Sequence, residues 1–93
     1  MATAGHFRVL YFASASTMTG KEWDDFPAPM SLRDLLVLLE GKYTGINDQV
    51  ILSSAITKNL EYLDETTDDS LGQESTIFEQ GDEVAIIPPV SSG

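Results

Sequence analysis

Apolar side chains recur along this chain with two different periods, and the switches between them outline its elements. His6 to Ala13 is rich in β-branched and aromatic residues and runs into Ser/Thr/Gly-rich sequence, which predicts a strand. Alternation places Phe7, Val9, Tyr11 and Ala13 on one face and His6, Arg8, Leu10 and Phe12 on the other. The face with His6 and Arg8 is read as the solvent side. Leu10 and Phe12 then form an exposed apolar pair of the kind that marks a docking surface. A strand covered on both faces is the alternative. Ala15 to Gly20 has room for one helical turn. Glu22 to Pro27, with Trp23 and Phe26, reads as a second strand, and its acids and Pro27 suit an edge.

Ser31 to Tyr43 carries the helical period. Leu32, Leu35, Leu36, Leu39 and Tyr43 make one stripe, widened by Leu38. Ser31 with Asp34 three residues later resembles a capping box, and Gly41 and Gly45 bracket the stop. Such a leucine stripe is read as core. Asp48 to Thr57 is predicted as a third strand, with Ser53 and Ser54 blurring its period, and Glu61 to Asp64 as a short fourth. Asp64 to Ser75 holds five acids and no base, a solvated loop without the ligand spacing of a calcium site. Gln80-Gly81-Asp82 is a turn and Glu83 to Ile87 a final strand, with Val84 and Ile86 on one face and Ala85 and Ile87 on the other. Pro88 and Pro89 donate no ladder hydrogen bonds, so the sheet must end there. Val90, Ser91, Ser92 and Gly93 leave as a narrow tail. One amphipathic helix on a mixed sheet is a two-layer α+β arrangement. The first and last strands are the most apolar and are expected at its centre as parallel neighbours, joined through a long crossover.

Length narrows this further: 93 residues fit a single domain, 1–93, with a flexible tail at 88–93. An apolar content of 42 % is enough for a packed interior and too high for a disordered chain. No apolar run approaches a membrane span, and Met1 to Gly5 carries no secretion or organelle signal, so the expected compartment is the cytosol. The formal charge of −10 disfavours nucleic acid and anionic membranes and favours a partner with a basic face, although plain solubility also explains it.

Self-sufficient catalysis finds little to stand on. There is no cysteine and one histidine, His6, so thiolate chemistry and a zinc site lack their ligands, and no metal is expected. A triad built on His6 is set aside, because a lone histidine near a strand start is ordinarily a surface residue. A domain this small also leaves little room for a substrate cleft. What remains is the terminal carboxylate. Glycine there lets a backbone approach a partner's catalytic groups closely, though an ordinary frayed end is the simpler reading of composition alone.

Two segments go beyond composition. Val9 to Ser16 with Thr19-Gly20, and Gly81 to Gly93 (GDEVAIIPPVSSG), resemble the small subunits of molybdopterin synthase, the sulfur carriers of molybdenum cofactor biosynthesis. With the leucine-rich helix the resemblance covers most of the chain, and the Gly-Asp-Glu-Val…Pro-Pro-Val ending is its most specific part. It implies a ubiquitin-like β-grasp fold and a defined cycle. A ubiquitin-activating-like adenylyltransferase spends ATP to adenylate Gly93, and a sulfur donor converts the adenylate to a thiocarboxylate. The loaded tail enters the large synthase subunit and gives its sulfur to cyclic pyranopterin monophosphate, building the molybdopterin dithiolene. Two small subunits flank a dimer of large ones in that family. The chain itself binds no cofactor on this reading, and the carboxyl replaces a thiol or phosphopantetheine arm as sulfur handle. Pro88, Pro89 and Val90 shape the tail, with Ser91 and Ser92 before the acceptor. Leu10, Phe12, Ala85 and Ile87 make the docking patch by strand alternation. The family ends in Gly-Gly, whereas Ser92 stands at the penultimate position here. A sulfur carrier of thiamine or transfer-RNA thiolation, or a non-catalytic ubiquitin-like binding module, are the rival readings.

Overall fold

The first strand, β1 (His6–Tyr11), alternates partly exposed and buried residues along its whole length. Phe7, Val9 and Tyr11 therefore lie in the core, as a period of two requires. The computed structural model describes residues 4–63 and 76–89. Ala13 departs from the predicted face. It turns the chain at φ 51°, ψ −126°, with the Ala15 N–H bonded to the Phe12 carbonyl at 2.9 Å, and is exposed. Helix α1 (Ser14–Thr19) follows and stops at Gly20, whose φ of 74° suits a residue without Cβ. Strand β2 (Trp23–Pro27) returns antiparallel to β1.

A two-residue strand, β3 (Met30–Ser31), leads directly into the main helix, α2 (Leu32–Lys42). The Ser31 side chain accepts the Asp34 N–H at 3.0 Å, so the expected cap is present. The helix runs through Gly41 and stops after Lys42, between Gly41 and Gly45 as expected. Leu32, Leu35 and Leu39 are buried, but Leu38 is 38 % exposed and does not widen the buried stripe.

Asp48 to Thr57 is not one strand. It begins inside a short helix, α3 (Ile46–Gln49), passes through a 3-10 turn at Ile51–Ser53, and becomes extended only in β4 (Ala55–Lys58). The buried residues Ile46 and Val50 lie four apart, which is a helical spacing. The α3 N-terminus is tied to α2 by Glu40, whose carboxylate accepts the Gly45 and Asn47 N–H groups at 2.7 and 3.2 Å. Strand β5 (Glu61–Tyr62) pairs with β4, β6 (Ile77–Phe78) pairs with β3, and β7 (Glu83–Ile87) is the last strand. The acidic stretch Asp64 to Ser75 lies outside the described residues.

The main sheet has the order β2-β1-β7-β4-β5. Its β1–β7 pair is parallel and its other pairs antiparallel. The first and last strands are thus neighbours within the sheet, as expected. Phe7, Val9, Val84, Ile86 and Ile56 face a core that also contains Leu35, Leu39, Ile46, Ile51 and Phe78. Among the described residues, the helices cover only that face. Among the described residues no helix is long and apolar enough to cross a membrane.

A polar clasp holds the β2 edge to this core. The Asp24 carboxylate accepts from the Tyr11 hydroxyl at 2.9 Å, the Tyr43 hydroxyl at 2.6 Å and the Lys21 ammonium at 2.9 Å. Burial opposes its ionisation, but the hydrogen bonds from Tyr43, Lys21 and Tyr11 outweigh this and hold the carboxyl below its usual range. The Tyr11 hydroxyl is raised in turn, first by burial and then by Asp24.

Candidate functional site

The described elements leave the opposite face of the sheet open, and strand register decides what it displays. Leu10 lies opposite Trp23 on β2 and Ala85 on β7. Ala85 lies opposite Thr57, and Thr57 opposite Tyr62. One transverse row, Trp23–Leu10–Ala85–Thr57–Tyr62, therefore crosses all five strands. Along it, Leu10, Phe12, Ala85 and Ile87 line a shallow hollow of about 200 Å³. The structure brings all four predicted residues together. Ala85 is nearly covered and belongs to the floor, Leu10 and Ile87 are partly exposed, and the Phe12 ring is 46 % exposed at the margin.

Thr57, Leu60 and Tyr62 also line the hollow and are absent from the sequence-based patch. They arrive through the hairpin of β4 and β5, whose turn residues Asn59 and Leu60 have φ of 51° and 74°. Two consecutive positive φ values define the tight turn that usually takes Asn-Gly. Here the second place holds a leucine, 88 % exposed. A large apolar residue where glycine is favoured is the signal that an Asn-Leu pair between two short strands carries.

The Gly81-Asp82-Glu83 motif anchors the start of β7. Asp82 accepts the Glu79 N–H at 2.7 Å and the Asn59 amide at 3.1 Å. Its carbonyl accepts the Arg8 N–H at 2.9 Å. Burial disfavours its charge, yet the Glu79 N–H, Asn59 and Lys58 together keep this carboxyl low. At the other end the strand stops at Ile87, in the hollow. Pro88 is buried and Pro89 exposed. Val90, Ser91, Ser92 and Gly93 lie outside the described residues, so the predicted acceptor and most of the predicted tail have no geometry to report.

A mixed sheet clasping one long helix, with the chain's last strand beside its first and an apolar open face, is the β-grasp fold of ubiquitin-like proteins. The small archaeal modifier protein 1 of Methanosarcina acetivorans has this fold with a TM-score of 0.70 at 21 % identity, the match covering 99 % of this chain and 100 % of that one. A protein-protein complex of subunits 1 and 2 of the molybdopterin-converting factor from Helicobacter pylori contains it too, with a TM-score of 0.64 at 23 % identity over 95 % of this chain and 99 % of that one. Sequence is more specific than either. The ThiS family model matches residues 9–93. A molybdopterin synthase sulfur carrier subunit from Pyrenophora tritici-repentis is 54 % identical over 92 residues, covering 99 % of this chain and 95 % of the relative. That of Homo sapiens is 30 % identical, covering 91 % of each. The chain belongs to the ThiS family and, within it, to the family of molybdopterin synthase sulfur carrier subunits.

Proposed function

We propose that this chain carries sulfur for molybdopterin synthase on the carboxyl group of Gly93. An activating adenylyltransferase, in the cytosol, uses ATP to convert that carboxylate to an acyl-adenylate, because a free carboxylate is a poor electrophile. A sulfur donor displaces the adenylate and leaves a thiocarboxylate. The loaded terminus then enters the large synthase subunit, where sulfur passes to cyclic pyranopterin monophosphate in forming the dithiolene. This chain contributes no catalytic side chain to these steps and binds neither ATP nor a metal. It supplies the acceptor and the surface that delivers it.

The observation that carries this reading is the position of Ile87. It lines the apolar hollow and is the last strand residue before Pro88-Pro89 and the terminus. A partner that fills the hollow with an apolar ridge thereby holds the root of the segment ending in Gly93. The family membership supports the same conclusion, since the relatives are named as sulfur carrier subunits. Intact-mass analysis after incubation with the activating enzyme, ATP and a sulfur source is expected to show one sulfur-for-oxygen exchange at Gly93. A chain lacking Gly93 is expected to bind the large subunit but transfer no sulfur. If the mass stays constant with a competent activating enzyme, the carrier role is wrong.

A further inference from the structure

Trp23 stands at the edge of the open face and outside the hollow, one strand beyond Leu10 in the transverse row. The residue is 45 % exposed. A tryptophan that exposed ordinarily loses rotamer freedom on binding, which weakens it as an anchor. Here it is already held. The Arg8 guanidinium lies 3.7 Å from the indole centroid, well within stacking range. Arg8 is fixed in turn by Asp25, donating from Nε and Nη2 to the two carboxylate oxygens at 2.9 and 3.3 Å. Arg8 and Asp25 are cross-strand partners, and Trp23 sits on the adjacent diagonal. An ion pair at a sheet edge adds little stability. Its chief consequence is a flat, oriented aromatic ring beside the hollow.

We propose that Trp23, held by Arg8 and Asp25, is a second anchor that grips the large synthase subunit and helps set partner specificity. This rests on the docking role of the hollow given above. Neighbouring strands lie about 4.8 Å apart, so a surface seated on Leu10 meets the indole next. A stable interface also covers roughly 800 Å² on each partner, more than a shallow hollow offers. The row on the other side of Trp23 and Leu10 contains Asp25, Arg8 and the exposed Glu83, and the chain is strongly acidic. The matching surface is therefore an apolar ledge with a basic margin.

Trp23 is the single tryptophan of the sequence, which gives the test a clean probe. The chain is labelled with 5-fluorotryptophan and titrated with unlabelled large subunit, with complex formation followed separately by gel filtration. The one fluorine resonance is expected to shift on binding. Trp23→Ala is expected to weaken binding about tenfold at unchanged melting temperature. Arg8→Lys keeps the charge but loses the planar stack, and a loss of about threefold is expected. An unmoved resonance in a formed complex, or full affinity for Trp23→Ala, overturns the anchor. Phe12→Asp separates the two readings. If it abolishes the complex while Trp23→Ala does nothing, only the anchor fails. If Phe12→Asp binds normally, the hollow is not the docking site and both readings fall.

Discussion

On the covered face of the sheet, Phe7, Val9, Val84 and Ile86 are sealed to 0–1 % exposure. One residue along the same strands, Leu10 and Ile87 remain partly exposed and Phe12 half-exposed. The strands are shared, so composition does not distinguish the faces. What differs is the layer above them: helices and the β3–β6 pair on one side, and none of the described elements on the other. Because alternation assigns each residue to one face, folding and the docking proposed for the open face fall on separate side chains and can be perturbed separately.

The largest expected effect is on docking. Phe12→Asp puts a charge into the apolar contact and is expected to abolish association with the large subunit, measured by calorimetry, while thermal unfolding stays within a few degrees of the parent. In the layer that covers the other face, Phe78→Ala, at a fully buried ring packed on Phe7, is expected to reverse that pattern. It should cost about 3–5 kcal/mol in denaturant unfolding and leave the affinity of the folded fraction intact. If the two variants show the same profile, the separation of faces is wrong.

The clasp at the β2 edge gives the next smaller effect. Asp24→Asn loses its charge and leaves at least one of its donors poorly matched, for an expected loss of about 1–3 kcal/mol. The pH dependence has a definite sign. Asp24 and Asp82 are both held below the usual carboxylate range in the folded chain. Their stabilisation is therefore complete above the unfolded pKa, near 4, and is lost as pH falls below that toward the folded values. Stability measured from pH 6 downward should be flat and then drop, and more gently in Asp24→Asn. The smallest effect joins the two faces' concerns in one residue. Leu60→Gly removes a side chain from a left-handed position and is expected to raise stability by at most about 1 kcal/mol while weakening docking severalfold. A stability gain with undiminished docking would remove Leu60 from the surface.

Much of this is legible in the sequence for a local reason. The strands β1 and β7 alternate cleanly, and helix α2 announces itself through its leucines and the Ser31 cap. Leu10, Phe12, Ala85 and Ile87 follow from alternation once the first and last strands are paired. Asp48 to Thr57 is ambiguous in sequence because its run Val50-Ile51-Leu52 suits strand and helix equally. Glu40, reaching from α2 to cap α3, settles the matter from outside the segment.

Local alternation and helical spacing thus determined which residues of each element face inward, because side-chain period is a property of the backbone conformation itself. The rest depended on pairing between distant segments. Register across five strands set Thr57 and Tyr62 beside Ala85 and carried Trp23 to the end of their row. The meeting of β1, β2 and the end of α2 gathered Tyr11 and Tyr43 onto Asp24. Such juxtapositions join residues tens of positions apart, and no local period encodes them.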